Sequence, residues 1–384
     1  MEFEKSIEKQ NDVVVRLTKH VIATVANGSN LVFSPTSINI LLNLIAAGSS
    51  CVTKEQILSF VMSPSTVHLN AVLARIADNN GMEISDLRLF TANGVWIDRS
   101  IPLKPFFKDL LQNSYKATCN HVDFATKPSE VIEEVNTWAE VNTNGLIKEI
   151  LSSDSMDTIR SSTLLLTNAV YFKGAWSSKF DAKLTKNNNF HLLDGTYVEV
   201  PFMTNYLEQY LGGYDGFQVL RLPYVDDHRQ FSMYIYLPDD KDGLPALLKK
   251  IGSKPGFIDN HIPLNPISVD ALEIPKFNFS FEFSASDVLK DMGLTSPFSP
   301  GGSLTEMVDS PSNGDSLYIS NILHKACIEV DEEGTDASAV SVTCTCLSMK
   351  NPDFVADHPF LFTVREDNSG VILFIGQVLD PSKH

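Results

Sequence analysis

The sequence predicts one α+β domain, in which helices come early in the chain and short strands dominate the later part. Apolar residues recur at helical spacing in residues 5–26 and 38–47, whereas β-prone segments separated by turn residues follow Trp176. No internal repeat, low-complexity tract or Pro/Gly/Ser-rich linker divides the 384 residues. We therefore expect residues 1–384 to form a single domain.

The first helical pattern ends at Asn27-Gly28, a pair typical of helix ends. Ser34 and Pro35 then open a second helix that is apolar on nearly every face up to Ala47. Such a helix belongs inside a large core.

The middle of the chain alternates helices and strands. The predicted segments are a helix introduced by a capping box at Thr53 and Gln56, a strand at 87–97, a helix at 102–115, a strand at 121–124 and a helix at 130–151.

A nearly continuous apolar run from Leu164 to Phe172 predicts a central strand that is covered on both faces. Asn168 interrupts the run. Because a buried amide needs hydrogen-bond partners, Asn168 is either a structural hydrogen-bond node or a functional group.

The later segments complete the predicted domain. Strands are expected within 187–203, 208–212, 216–222, 230–237, 266–283 and 316–331, helices at 244–252 and 284–293, and a hairpin at 360–378 with its turn at Asn368-Ser369-Gly370.

Composition narrows the class of partner. The chain is 43% hydrophobic and 20% charged, as is usual for a globular protein. Its net charge of -17 argues against nucleic acid or an anionic membrane as the main partner. No apolar run approaches the roughly 18 residues of a membrane span.

The first 17 residues are charged and lack the apolar stretch of a secretory signal. The five cysteines are odd in number and scattered, which favours reduced thiols. We expect a cytoplasmic or nucleocytoplasmic location, with extracellular release as the alternative.

Motifs for enzyme chemistry are missing from the sequence. It contains no G-x-S-x-G, phosphate loop, H-E-x-x-H or C-x-x-C. Cys344 and Cys346 have no second pair with which to bind a metal. His324 and Cys327 lie three apart on a predicted strand and so face opposite ways. We expect no enzyme activity, no cofactor and no metal.

The segment from Glu332 to Pro359 has two unlike faces when it is extended. One face has only small side chains: Thr335, Ala337, Ala339, Ser341, Thr343 and Thr345. The other carries Asp336, Ser338, Val340, Val342, Cys344 and Cys346. A strand with these faces can exist both outside and inside a sheet; a permanent strand with an acidic start is the alternative.

Six ordered blocks make the chain resemble the serpins, and most closely those of land plants. They are residues 30–49, 136–151, 167–181, 272–294, 324–339 and 353–381. The resemblance implies a three-sheet α+β fold with about eight to nine helices and an exposed reactive-centre loop at about 333–357.

The resemblance also implies a function. A serpin is a suicide substrate: a serine or cysteine endopeptidase attacks the loop, and the cleaved loop enters the central sheet and traps the acyl-enzyme. The implied partner is a target protease held in a covalent complex, and the expected free state is a monomer. A non-inhibitory serpin-fold protein that binds or stores is the alternative.

Several site residues follow from the matched motifs. The implied hinge of the loop is Glu332, Glu333, Gly334, Thr335, Ala337 and Ala339. The polar cluster under the opening of the sheet is Ser34, Ser37, Asn168 and His324, with Trp176 at its top. In this interpretation Asn168 and His324 are hydrogen-bond nodes.

Family spacing places the reactive bond between Ser348 and Met349, with Leu347 and Lys350 as alternative bait positions. Many plant relatives have an Arg before this bond, but no Arg is present in this loop, which puts a trypsin-like target in doubt. From Gly334 to Ser348 the extended chain spans roughly 45 Å, close to the roughly 50 Å diameter of a domain of this length.

Overall fold

A computed structural model describes residues 2–70, 87–225, 230–301, 303–309, 317–333 and 351–383. These ranges contain nine α-helices. They are α1 (Glu2–Val21), α2 (Pro35–Ala47), α3 (Cys51–Phe60), α4 (66–70), α5 (Pro105–Asp109), α6 (Pro128–Asn142), α7 (Met156–Arg160), α8 (Leu244–Ile251) and α9 (Ala285–Asp291). Among them, none combines the length and the hydropathy that crossing a membrane requires.

The strands in the same ranges are β1 (Leu31–Phe33), β2 (Leu87–Asp98), β3 (Thr118–Val122), β4 (Leu164–Gly174), β5 (Lys186–His191), β6 (Tyr197–Met203), β7 (Gln209–Tyr214), β8 (Phe217–Pro223), β9 (Phe231–Pro238), β10 (Pro266–Ile267), β11 (Ala271–Pro275), β12 (Phe277–Ser284), β13 (Asn321–Val330), β14 (Asp353–Val355), β15 (Phe360–Glu366) and β16 (Ile372–Val378).

The strands form three sheets. The central sheet has the order β12-β13-β4-β2-β3, a seven-stranded sheet has the order β1-β16-β15-β9-β8-β7-β10, and a four-stranded sheet has the order β14-β11-β6-β5. This arrangement confirms the predicted α+β fold with three sheets and about eight to nine helices.

The sheets share a core with the N-terminal helices. The apolar side chains of α2 join those of α1, β4 and the seven-stranded sheet in one buried cluster. Ser34 caps α2 and Pro35 occupies its first turn, as predicted. The apolar surface of α2 is therefore covered all round, and its N-terminus is held under the central sheet.

Three sequence-based predictions of local structure need correction. Helix α3 begins at Cys51, so Thr53 lies inside the helix and is not its cap. The predicted helix at 130–151 ends at Asn142, because Asn144 and Gly145 adopt left-handed backbone angles (φ 50° and 79°). The short strand expected at 121–124 lies earlier, at Thr118–Val122.

Candidate functional site

The candidate site follows the line between β4 and β13, which we call the seam. The two strands are parallel neighbours, with a continuous register from Asn321–Leu165 to Glu329–Lys173. The chain leaves β13 at Val330, and residues 331–333 lead into the predicted reactive loop. We call this end of the seam, where Gly174 and Val330 end their strands, its upper end.

Asn168 sits at the middle of the seam, fully buried. Its register partners are His324 on β13 and Asn93 on β2. The Asn168 amide Nδ2 donates to Asn93 Oδ1 at 2.9 Å and to the Ala92 carbonyl at 3.2 Å. The side chain is thus a hydrogen-bond node that joins β2 and β4.

His324 links the central sheet to the segment beneath it. Its Nε2 accepts a hydrogen bond from the backbone N–H of Ser34 at 3.0 Å. The ring lies edge-on to Phe33 and Phe283, with centroids 6.5 and 5.6 Å away. Burial lowers the pKa of His324 to about 3, so the imidazole is neutral at physiological pH. Because Nε2 is the acceptor, the proton is on Nδ1.

Ser34 and Ser37 complete this cluster. The Ser34 hydroxyl accepts from the Ser37 backbone N–H at 3.2 Å and so caps α2. Both serines are buried. The structure therefore brings Ser34, Ser37, Asn168 and His324 together under the seam, although their positions span 290 residues of sequence.

The middle of the seam has incomplete hydrogen bonding. Among the described residues, Asn168 Oδ1 and His324 Nδ1 have no hydrogen-bond partner. They are an acceptor and a donor on strands that are register partners. A buried polar group without a partner costs about 1–3 kcal/mol, so this part of the seam is held less strongly than an apolar contact would hold it.

Trp176 occupies the upper end of the seam. Its indole N–H donates to the Asp331 carbonyl at 2.8 Å, and its backbone N–H donates to the Glu333 carbonyl at 3.3 Å. The indole stacks on Tyr224, with centroids 4.5 Å apart. Gly174 leaves room for that ring, since a Cβ there would lie 2.4 Å from it. Trp176 therefore anchors the start of the loop to the rigid end of β4.

Lys173 spans the seam at the same level. Its Nζ lies 2.8 Å from Glu329, 2.7 Å from Asp331 and 3.3 Å from Glu333. Burial alone would lower the pKa of Lys173, but the hydrogen bonds to Asp331 and Glu329 raise it above its ordinary value. The ammonium stays charged and holds the chain beyond β13 against β4.

Glu332 has its own partners on the other side of the chain. Its carboxylate accepts from Lys276 Nζ at 2.6 Å and from the Thr185 hydroxyl at 2.7 Å. Burial would raise the pKa of Glu332, but these two donors lower it. Residues 331–333 are thus fixed by ion pairs and hydrogen bonds just before the loop.

The structure places the predicted site residues unevenly. Glu332, Glu333 and Trp176 meet at the upper end of the seam. The other hinge residues and the bait positions lie outside the described residues and stay predictions: Gly334, Thr335, Ala337, Ala339, Leu347, Ser348, Met349 and Lys350. Cys344 and Cys346 fall in the same stretch.

Sequence reasoning missed several residues of the seam. Lys173, Asp331 and Tyr224 were not singled out, and neither was Asn93. A signal existed for two of them: Asn93 interrupts a predicted strand just as Asn168 does, and Lys173 directly follows the apolar run of β4.

The chemistry of an enzyme site is not assembled here. Cys327 packs with the cluster that contains Trp138 of α6, whereas His324 contacts Phe33, so the two lie on opposite faces of β13. Across the described residues, no three His, Cys, Asp or Glu side chains gather closely enough to hold a metal ion.

Comparisons with known proteins agree with this architecture. The family model Serpin (serine protease inhibitor) matches residues 8–381. Serpin-Z10 and Serpin-Z3 of Arabidopsis thaliana are 78% and 74% identical, each over 100% of both chains. The solved structure of Arabidopsis AtSerpin1 in its native stressed conformation has 53% identity and a TM-score of 0.92, and the match covers 99% of both chains. A serpin-12 structure from Manduca sexta, at 25% identity, has a TM-score of 0.84 over 98% of this chain and 99% of that one. This chain therefore belongs to the serpin family of serine protease inhibitors.

Proposed function

We propose that this serpin inhibits serine or cysteine endopeptidases as a suicide substrate. The nucleophilic oxygen or sulfur of the protease attacks the carbonyl carbon of the bait residue, and the new amino terminus departs. The acyl-enzyme remains on the upstream part of the loop. That part then enters the seam and carries the protease away before water can hydrolyse the bond.

The parallel pairing of β4 with β13 is the observation that carries this proposal. A segment that turns back after Val330 and enters the seam runs antiparallel to β13. Because β4 is parallel to β13, the segment is antiparallel to β4 as well. One parallel ladder is exchanged for two antiparallel ladders, and antiparallel pairing is slightly more stable per residue. Insertion therefore stabilises the sheet.

The length of the seam suits the loop. The register of β13 with β4 runs from Asn321 to Glu329, and the alternating segment from Thr335 to Cys346 is of similar length. Its small face, which includes Ala337 and Ala339, needs little space between the two neighbouring strands.

The contacts at the upper end explain how the uncleaved state persists. Insertion must break the bonds of Trp176 to Asp331 and Glu333, and must move the carboxylates that Lys173 holds. These contacts give the sheet two discrete arrangements with a barrier between them, as a switch requires. The relative AtSerpin1 has been solved in a native stressed conformation, which supports the same interpretation here.

Complex formation with purified proteases tests the proposal. The protein is incubated with trypsin, chymotrypsin, elastase, subtilisin and papain, and the products are separated in SDS. We expect at least one covalent complex that resists SDS, with cleavage mapped by mass to a bond between Cys346 and Lys350. Cleavage by every active protease without any complex would contradict inhibition and favour the binding or storage alternative.

A further inference from the structure

A groove of about 320 Å³ lies on the four-stranded sheet, close to the downstream end of the loop segment. It is lined by Leu184, Lys186, Asn187, Asn188, Phe202, Thr204, Asn205, Tyr206, Val269, Asp270, Ala271, Leu272 and Glu273. These residues come from β5, β11 and the chain around the end of β6. None of them takes part in the seam.

Asn351 ties this groove to the loop. Its backbone N–H and its Nδ2 donate to the two carboxylate oxygens of Asp270, at 3.1 and 3.0 Å. The Asp270 N–H in turn donates to the Pro352 carbonyl at 3.1 Å. The first described residue after the loop is therefore fixed to the groove wall.

Covalent geometry then limits how far the reactive bond can be from the groove. Two peptide units separate Met349 from Asn351, so their Cα atoms lie at most about 7 Å apart. For Leu347, the alternative bait position farthest upstream, the limit is about 14 Å. Each candidate bond therefore lies near Asp270, whichever one is cut.

The size of a protease interface extends over that distance. A standard protease–inhibitor interface covers about 800 Å² on each partner, which corresponds to a disc of about 16 Å radius. A protease centred on a bond within about 14 Å of Asn351 brings its surface over the groove. The occupant of this groove is therefore part of the protease that is being trapped.

The groove has a specific chemistry. The Tyr206 side chain is 74% exposed, which is unusual for an aromatic ring that has a cavity beside it. Asp270 and Glu273 give the lining two carboxylates against the single ammonium of Lys186. Asn188 donates to Glu273 at 2.8 Å and fixes that carboxylate in place. An aromatic face beside fixed carboxylates suits a guanidinium or ammonium group.

We propose that this groove is a docking surface for the target protease and receives a basic side chain that lies beside the protease's active-site cleft. The inference rests on the proposed function and adds a contact outside the loop. Docking here raises the rate of association without taking part in loop insertion, because none of the groove residues belongs to the seam.

Association kinetics test this surface. The probe is the protease among trypsin, chymotrypsin, elastase, subtilisin and papain that forms the SDS-resistant complex. We expect Tyr206→Ala and Glu273→Gln each to lower its association rate about three- to tenfold. Tyr206→Phe keeps the aromatic face and should retain most of the rate. Leu264→Ala, at a residue 73% exposed and outside the groove, is the matched control.

Two further readouts separate the possible failures. The number of serpin molecules consumed per protease should stay at the wild-type value, and added salt should slow the wild type more than Glu273→Gln. Wild-type association rates in both groove variants, with complexes still formed, would overturn the docking surface alone. If the wild type forms no complex with any protease, the proposed function fails and the docking surface with it.

Discussion

Nε2 of His324 accepts the backbone N–H of Ser34 at 3.0 Å, and this bond ties the centre of the seam to the N-terminus of α2. It exists only while the imidazole is neutral, because a doubly protonated ring has no acceptor. The bond therefore makes stability depend on pH.

His324 should destabilise the protein as the pH falls below 6.5. Burial lowers its pKa from 6.5 to about 3 in the folded protein. Between these values the unfolded chain binds a proton that the folded chain excludes, so stability is complete above 6.5 and declines below it. From pH 6.5 to 5 the loss should be about 2 kcal/mol. Denaturant unfolding at both pH values measures it.

The control for this prediction is a second histidine. His324→Gln should lose less stability than the wild type over this range, because the titrating group is gone. His121→Gln, at an exposed position on β3, should keep the wild-type loss. Equal pH dependence in wild type and His324→Gln would contradict the assignment.

Lys173→Met should speed entry of a strand into the seam. The change leaves the carboxylates of Glu329, Asp331 and Glu333 without their shared cation and so weakens the upper end. A synthetic peptide with the sequence of residues 334–347 provides the entering strand. We expect it to enter about three- to tenfold faster than in the wild type, as followed by native gels and thermal stability.

Lys325→Met is a matched control for that change. Lys325 lies on β13 with a similar exposure, and it pairs with Glu282 of β12 at 2.7 Å, away from the seam. It should leave the rate of peptide entry unchanged. If both variants speed entry equally, the effect is general destabilisation and not release of the seam.

Trp176 should report movement of the hinge by fluorescence. The chain has three tryptophans, and only Trp176 contacts residues 331–333. Cleavage within 344–350 should therefore change the emission spectrum of the wild type. Trp176→Phe keeps an aromatic ring beside Tyr224 and should abolish the change, whereas Trp138→Phe on α6 should preserve it. An undiminished change in Trp176→Phe would show that the hinge does not move there.

The sequence predicted the elements of this fold better than their pairing. The apolar run of β4 and the cap of α2 by Ser34 depend on local patterns, which a single segment carries. The ion pairs of Lys173 could not be predicted in the same way, because its partners lie more than 150 residues away. The groove depends likewise on Asn351 meeting Asp270, two residues on separate strands' flanks that only the folded chain brings together.

Thr335→Arg should convert the inhibitor into a plain substrate. Insertion would bury the charged side chain in the sheet, which is costly without a partner. The variant should be cleaved at the wild-type bond but should release the protease, so SDS gels should show cleaved serpin without complex. Asp336→Arg, on the other face of the segment, is the control and should still form complexes. Persistence of the complex in Thr335→Arg would contradict insertion of the small face.

A reversible lock across the seam tests the central claim most directly. Ala169 and Lys325 are register partners on β4 and β13, and neighbouring strands about 4.8 Å apart are within reach of a disulfide. In Ala169→Cys/Lys325→Cys, with the disulfide verified by mass, the oxidised protein should be cleaved by the protease without forming a complex. Reduction of the same sample should restore the SDS-resistant complex. Equal complex formation by the oxidised and reduced forms would contradict insertion of the loop between β4 and β13.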